Sequence, residues 1–379
     1  MGAVLSLGLL GAVPGVTLAA QPSCGDTITA NTTLTADLDC TGLTGSGAGL
    51  YFGAKNITLN LNGHTILGPV GDDNNTGVDT NYKKNVVVKN GTIANFETAL
   101  LENYSVAGTF KNLKITGDPA DSTSTGVYIY YGADNTFDKI NVKDTYYGFY
   151  GYGSGGNWVT NSRMTGVVYG LYDEYENGDH WIGNYTEYSY AGFYEDYSGN
   201  QVYQGNTANG TPGSGSYGFY FDGDDYGWYQ IINNTAKGNS SYGFYTYYLY
   251  EDNNAAGPIS QITGNTANHN DYGFYDEQSQ YALWSNNKAN HNDDYGFYLY
   301  TSGYAIFKNN VANNNGGDGI YLYDNYSPYY TPAVVNDNTA NYNTDYGIES
   351  DYGQPGAQGN VAHHNGNAPD DCWNINCNN

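Results

Sequence analysis

The sequence predicts an all-β fold, a single domain in which roughly 13 short coils of parallel strands stack as a solenoid. Three observations predict it. A Tyr-Gly-Phe-Tyr motif recurs along the chain, apolar and exposed positions alternate within each motif, and an Asn-x-Ala motif follows a second apolar run. Each observation predicts one part of a coil.

The period of the first motif indicates one solenoid turn per repeat. Neighbouring motif glycines lie 22 to 30 residues apart, so the residues above 22 are expected to bulge out as loops. The repeat continues less regularly towards the N-terminus, at Gly49, Gly77 and Ala99. The motif glycines are Gly126, Gly148, Gly170, Gly192, Gly218, Gly243, Gly273, Gly296, Gly319 and Gly347.

The two residues after each glycine indicate which side of the strand faces the core. The first is always apolar and the second is almost always tyrosine, so strand alternation predicts a buried first set and outward tyrosines. Helix is excluded because these runs are short, rich in Tyr, Phe, Val and Ile, and bounded by Gly, Asn and Asp. The outward tyrosines are Tyr128, Tyr150, Tyr172, Tyr194, Tyr220, Tyr245, Tyr275, Tyr298 and Tyr321.

A second strand in each coil is predicted by runs such as Trp158 with Val159, and the Asn-x-Ala motif follows it. We expect its asparagines to take the left-handed conformation of tight corners and to hydrogen-bond from coil to coil as a ladder. They are Asn206, Asn234, Asn265, Asn287, Asn310, Asn338 and Asn360.

The cysteines occur only near the two ends of the chain. We expect two local disulfides, Cys24 with Cys40 and Cys372 with Cys377, which would tie down the terminal coils of an exported protein. Small apolar residues at the N-terminus predict a cleaved signal. The predicted division is a signal peptide at 1–19, an N-terminal cap at 20–48, the solenoid at 49–365 and a C-terminal cap at 366–379.

The charge of the chain limits its partners. Its net charge is −26, with 38 acidic and 12 basic residues, so its field repels nucleic acid. No stretch after the signal is long and apolar enough to span a membrane. The expected location is therefore secreted, periplasmic or cell-surface.

Two segments carry a resemblance to a known family. Cys24 to Ile28 and Leu59 to Ile66 resemble the opening of secreted right-handed parallel β-helix repeat proteins, which share a pectate-lyase-like fold. The resemblance implies a right-handed parallel β-helix but no single activity, because the family includes polysaccharide lyases, hydrolases, epimerases, periplasmic proteins of copper-enzyme maturation and adhesins. The chain departs from the lyases in having one arginine, Arg163, and it lacks the Asp-Pro-His-Asp sequence of alginate epimerases.

The nine outward tyrosines are predicted to form a continuous strip with a ring on each coil, about 4.8 Å apart. The strip has two interpretations. It stabilises an exposed sheet through ring contacts, or its apolar faces and hydroxyl rims bind a polysaccharide or a cell-surface component.

Acidic residues interrupt the motif and are the candidate catalytic groups. Glu174, Glu195, Asp196 and Asp222 would stack on successive coils, and a pair of carboxyl groups is the minimum apparatus of a glycosidase. The alternative is that these carboxylates are merely solvated.

Calcium is the one cofactor that the sequence suggests, since oxygen ligands from adjacent turns could converge on it. Its candidate ligands are Asp173, Asp222, Asp224 and Asp225. The leading hypothesis is a binding and display scaffold for glycan or a partner surface. The alternatives are a polysaccharide hydrolase or lyase, and a structural or adhesive protein stiffened by calcium.

Overall fold

A computed structural model of the chain describes residues 21–71, 74–118, 122–210, 216–223, 227–238, 241–249, 259–279, 281–323, 333–354, 356–367 and 371–378. Within these ranges the protein is all-β and forms a right-handed parallel β-helix of about 13 coils, as predicted. Every described strand pair is parallel, and the strands of successive coils form three long sheets.

The first sheet contains the Tyr-Gly-Phe-Tyr motifs. It comprises Asp26–Ile28, Ala48–Phe52, Thr76–Asp79, Thr98–Asn103, Thr125–Tyr130, Tyr147–Tyr152, Tyr217–Asp222, Tyr242–Tyr247, Tyr272–Glu277, Phe297–Tyr300, Ile320–Tyr323, Ile348–Ser350 and Cys372–Trp373. The second sheet comprises Thr32–Thr33, Thr58–Asn60, Trp158–Thr160, His180–Ile182, Gln201–Gln204, Tyr229–Ile232, Gln261–Thr263, Leu283–Ser285, Ile306–Lys308 and Val334–Asn336.

The third sheet follows the second within each coil. It comprises Leu38–Asp39, Thr65–Leu67, Thr207–Gly210, Thr235–Lys237, Thr266–Asn268, Lys288–Asn290, Val311–Asn313, Thr339–Asn341 and Val361–His363. Five longer strands turn a corner and belong to two sheets. Val87–Ala94, Thr109–Thr116 and Thr136–Lys143 run from the second to the third sheet, and Arg163–Glu174 and Tyr185–Asp196 run from the third to the first.

The core fills the inside of the coils with columns of like residues. The apolar residue after each motif glycine is fully buried, which confirms the predicted alternation, and the phenylalanines of this column stack 4.6 to 4.8 Å apart. The column consists of Val127, Phe149, Leu171, Phe193, Phe219, Phe244, Phe274, Phe297, Ile320 and Ile348.

The motif glycine is required by a close approach between coils. A Cβ atom on Gly243 would lie 2.6 Å from the carbonyl oxygen of Gly273 and 2.9 Å from the Cβ atom of Ala267 across the core. At each of the other motif glycines a Cβ atom would lie 2.4 to 2.7 Å from a backbone carbonyl oxygen, so this column has no room for a side chain.

The predicted asparagine ladder is present. Each buried side-chain amide donates to the Oδ1 atom of the next asparagine over 3.0 to 3.1 Å, from Asn206 to Asn360. The left-handed conformation, however, belongs to the residue before each ladder asparagine, such as Asn286 with a φ of 57°. The expectation that the ladder asparagines themselves are left-handed was therefore wrong. The left-handed residue lies one position before the ladder asparagine, and the side-chain amide of that asparagine points into the coil.

A second asparagine ladder was not predicted. It runs along the next corner and ends on a carboxylate, with members Asn270, Asn292, Asn315, Asn343, Asn365 and Asp371.

Both expected disulfides are present, Cys24 with Cys40 and Cys372 with Cys377. The predicted N-terminal cap already contains a strand of the first sheet, because Asp26–Ile28 pairs with Ala48–Phe52. The predicted signal peptide lies outside the described residues. None of the described residues forms a helix that could cross a membrane.

Candidate functional site

The outer face of the first sheet carries the nine predicted tyrosines in one unbroken column, which we call the tyrosine ladder. Neighbouring rings on successive coils have centroids 4.3 to 5.5 Å apart. All nine are partly exposed. The structure therefore brings the predicted binding residues together.

The orientation of the rings changes what this ladder can offer a ligand. From Tyr172 to Tyr298 the ring planes of neighbours are within 6° of parallel, so each ring covers the faces of the next. The ladder presents ring edges and hydroxyl groups to solvent. The expectation that the ring faces are open for stacking on sugars is not met inside the ladder, because those faces are used between neighbours.

A second row of tyrosines flanks the ladder and was missed by the sequence argument. These residues precede the motif glycine, and their rings pack mostly edge to face on the ladder, as Tyr242 does on Tyr245 and Tyr275. Simple alternation would place them in the core. Alternation is interrupted at the glycine, where the glycine and the apolar residue after it are both buried, so the tyrosines on both sides of this pair face outward. The row consists of Tyr147, Tyr169, Tyr217, Tyr242, Tyr272 and Tyr295.

Carboxylates on the same face accept hydrogen bonds from the ladder. The hydroxyl of Tyr245 donates to Glu277 over 2.9 Å, and the hydroxyl of Tyr150 donates to Glu174 over 3.4 Å. Partial burial, with neighbouring phenols and Glu174, raises the pKa of Tyr128 to about 12. The phenol of Tyr128 therefore stays a neutral hydrogen-bond donor at physiological pH.

The four candidate catalytic carboxylates do not share one site. Strand alternation places Glu174, Asp196 and Asp222 on the outer face, where Glu174 and Asp196 are register partners. Glu195 points into the core and is fully buried. The sheet itself separates Glu195 from the other three, so the set predicted from the sequence is divided.

Glu195 belongs instead to a group of acids inside the coils. Asp173, its register partner, is 1% exposed, and Glu176 and Asp179 are each 2% exposed. The hydroxyl of Tyr203 donates to Glu195, and burial raises the pKa of Glu195 to about 8. Burial also raises the pKa of Asp173, Glu176 and Asp179, so each of these interior acids holds its proton to a higher pH than a solvated carboxyl group does.

The calcium candidates are also divided. Asp173 is inside the coil and Asp222 is on the outer face, while Asp224 and Asp225 lie outside the described residues. Within the described ranges, no group of three or more His, Cys, Asp or Glu side chains is arranged to hold a metal ion. Calcium binding stays a prediction.

Two family models match parts of the chain. Residues 249–374 match a family described as a right handed beta helix region, and residues 111–256 match the family of the periplasmic copper-binding protein NosD. No curated protein has a sequence significantly similar to that of this chain.

Several solved structures align with most of this chain at low sequence identity. The periplasmic alginate epimerase AlgG is 13% identical with a TM-score of 0.44, over 90% of this chain and 79% of the epimerase. The catalytic domain of a GH87 α-1,3-glucanase is 13% identical with a TM-score of 0.44, over 98% of this chain and 70% of the domain. The Dettilon tailspike protein is 15% identical with a TM-score of 0.44, over 85% of this chain and 62% of the tailspike.

Proposed function

Because this chain is a right-handed parallel β-helix repeat protein, we propose that it is a secreted, periplasmic or cell-surface scaffold that binds neutral glycan through the outer face of its first sheet. Two disulfides support export, since such bonds persist in oxidising compartments. The description of the family that matches residues 111–256 also names the periplasm.

The observation that carries the proposal is the row of hydroxyl groups on the tyrosine ladder. One phenol per coil, held in register by the parallel strands, offers donors and acceptors at a fixed interval of about 5 Å along the rod. Carboxylates such as Glu277 and Asp351 lie beside the phenols and accept their hydrogen bonds. A glycan is a chain of hydroxyl-bearing rings, so it matches this repeated pattern. Polyanionic glycans are disfavoured by the carboxylates.

A triple variant tests this assignment. Tyr194→Phe, Tyr220→Phe and Tyr245→Phe keep the ring stack and remove only the hydroxyl groups. We expect the variant to lose retention on immobilised neutral polysaccharides while its melting temperature stays that of the wild type.

The matched control carries Tyr185→Phe, Tyr304→Phe and Tyr342→Phe, which lie outside the tyrosine ladder, and it should bind normally. Undiminished retention of the ladder variant would remove the proposal.

A polysaccharide hydrolase or lyase is the second candidate, favoured by the outward pair Glu174 and Asp196. Strands on adjacent coils are about 4.8 Å apart, and retaining and inverting glycosidases use carboxyl groups about 5 to 9.5 Å apart. Release of reducing or unsaturated ends from a polysaccharide panel, lost in a Glu174→Gln, Asp196→Asn double variant, would support it. Wild-type rates in that double variant would exclude this pair.

The structural alternative requires calcium bound by Asp222 and the neighbouring acids. Its test is the melting temperature with calcium and with a chelator. A protein stiffened by calcium would melt at a lower temperature after chelation, and equal values would count against a calcium-stabilised rod.

Copper, which the NosD family description names, does not fit the residues present in the matched segment. Copper sites in proteins use His, Cys and Met side chains. Residues 111–256 contain no cysteine, and Met164 is fully buried in the core. The ring of His180 stacks on the ring of Trp158 with centroids 4.0 Å apart, and its Nδ1 atom lies 3.1 Å from the carbonyl oxygen of Gly178. We therefore assign no copper chemistry to this segment.

A further inference from the structure

The tyrosine ladder stops abruptly at its N-terminal end. The register partner of Tyr128 in the preceding coil is Leu101, and the partner of Leu101 is Asp79. A leucine is much shorter than a tyrosine, so the surface steps down there. The step leaves a cavity of about 400 Å³ that is lined by Tyr82, Leu101, Asn103, Tyr128 and Tyr130.

The cavity has the position of a missing ring in the ladder. One face of Tyr128 is covered by Tyr150, with centroids 4.8 Å apart and ring planes 3° from parallel. The other face looks over Leu101 into the cavity. Tyr128 is thus a ladder tyrosine with a ring face that no ladder neighbour covers, in contrast to the tyrosines from Tyr194 to Tyr275.

The walls combine apolar and polar groups. Leu101 forms an apolar floor, and the ring of Tyr130 stands beside Tyr128 with centroids 5.6 Å apart. The phenols of Tyr82 and Tyr130 and the amide of Asn103 supply donors and acceptors at the rim. The volume falls in the range of about 300 to 1,000 Å³ that is typical of small-molecule sites. No lysine or arginine lines the cavity, so nothing there attracts an anion.

The corner beside the cavity holds tyrosines at a conformational penalty. Tyr82 and Tyr104 have φ values of 64° and 49°, in the left-handed region that is unfavourable for a bulky residue, and Tyr131, Tyr175 and Tyr197 take the same conformation in later coils. Their rings stack 5.2 Å apart, and Tyr82 is 58% exposed. Because the same backbone conformation recurs at this corner in later coils, it does not mark the cavity, and Tyr82 contributes to the cavity through its exposed ring.

We propose that a neutral pyranose ring occupies this cavity as the missing ring of the ladder, stacked on Tyr128 and hydrogen-bonded by Tyr82, Asn103 and Tyr130. A pyranose has an apolar face and a rim of hydroxyl groups, which matches the open ring face, the leucine floor and the polar rim. The inference rests on the proposed glycan binding and assigns one ring of the glycan, or its end, to a defined subsite.

The decisive variant is Leu101→Tyr, which fills the cavity with the ring that the ladder lacks. Binding of neutral oligosaccharides of glucose, mannose and N-acetylglucosamine is measured by titration calorimetry. We expect the dissociation constant to rise about tenfold or more, the scale of a lost stacking contact with its hydrogen bonds, with the melting temperature kept or raised.

Glu349→Tyr is the matched control. It extends the ladder by one ring at the other end, beyond Tyr321, and should leave the dissociation constant unchanged. Tyr128→Leu, which removes the open ring face without adding bulk, should weaken binding as Leu101→Tyr does. It serves as the test if Leu101→Tyr does not fold.

The outcomes separate this subsite from the broader proposal. Wild-type affinity in both Leu101→Tyr and Tyr128→Leu would overturn the subsite but leave glycan binding by the ladder in place. A wild-type protein that binds no oligosaccharide would overturn both. A wild-type protein that binds a simple phenol such as p-cresol in the cavity, and no sugar, would overturn the pyranose assignment.

Discussion

The asparagine ladder and the tyrosine ladder both repeat once per coil, yet they use their polar groups in opposite ways. Inside the coils, the amide of Asn287 donates to Asn310 and to the carbonyl of Ile262, and its oxygen accepts from the backbone and the side chain of Asn265. Such an amide has no capacity left for a ligand. The phenols of the tyrosine ladder lie at the surface, and a phenol that donates to a carboxylate, as Tyr245 does to Glu277, can still accept a hydrogen bond.

Repetition of a polar residue therefore does not by itself identify a binding surface. A repeated polar residue whose hydrogen bonds are all made within the ladder stabilises the fold. A repeated polar residue with spare capacity at the surface is available for recognition. Variants that remove one group from each place should therefore differ in what they damage.

The largest effect is expected for Asn287→Ala. Removing this amide leaves the backbone N–H of Asn265 without its acceptor inside the coil, where an unsatisfied group costs about 1 to 3 kcal/mol. It also takes one partner each from the side-chain amide of Asn265, the carbonyl of Ile262 and the side-chain oxygen of Asn310. We expect a loss of about 3 kcal/mol or more in the free energy of unfolding, measured by urea denaturation.

Asn290→Ala is the control for that measurement. Asn290 is a partly exposed asparagine of the third sheet whose oxygen accepts one backbone hydrogen bond, from Asn313. Its loss should cost less than about 1 kcal/mol, because water replaces the missing partner. Equal losses in the two variants would contradict the distinction between interior and surface asparagines.

The next effect concerns the glycine column that lies between the two ladders. In Gly243→Ala the new methyl group would lie 2.6 Å from the carbonyl oxygen of Gly273, so the coils must move apart. Overpacking of this kind costs about 1 to 3 kcal/mol. Gly353→Ala meets nothing within 4 Å and should be neutral, so thermal melts of the two variants give a direct comparison.

Much of this architecture could be predicted from the sequence because a fixed period places like residues on top of one another. The buried phenylalanines, the asparagine ladder, the tyrosine ladder and both disulfides all follow from that period or from the position of the cysteines. The orientation of the tyrosine rings could not be predicted, since the sequence gives the position of a side chain but not its rotation.

Two residue types were misplaced from the sequence, the tyrosines before the motif glycine because alternation was assumed and Glu195 because alternation was ignored. Tyr242 and its equivalents face outward because alternation is interrupted at the motif glycine, and the sequence does not show this interruption. Glu195 was grouped with Glu174 although alternation separates neighbours. A carboxylate was expected to be solvated. Inside the coil, however, Glu195 accepts a hydrogen bond from the hydroxyl of Tyr203, and because burial raises its pKa it favours the neutral form there.

The interior acids predict a dependence of stability on pH. Burial raises the pKa of Glu195 from 4.5 to about 8, so folding favours its protonated form. The stabilisation is fully present below pH 4.5 and is lost as the pH rises through about 8. We expect the melting temperature of the wild type to fall over this window.

Glu195→Gln should flatten that fall, because the amide cannot ionise. Glu174→Gln changes an acid on the outer face of the neighbouring coil and should leave the pH dependence nearly that of the wild type. Identical pH profiles for Glu195→Gln and the wild type would show that this interior acid does not govern stability.

The smallest effect is expected at the corners, which also differ between the two ladders. The residue before each ladder asparagine is Gly, Asn or Asp, the types that accept a left-handed backbone most easily. One corner after a tyrosine strand instead holds Thr301, with a φ of 55°. Thr301→Asn should raise the free energy of unfolding by about 1 kcal/mol, seen as a higher melting temperature. Thr266→Asn, in an extended strand of the third sheet, should instead lower it slightly, since Asn is a poor strand former. A loss of stability in Thr301→Asn would mean that the corner hydroxyl contributes more than the strain removes.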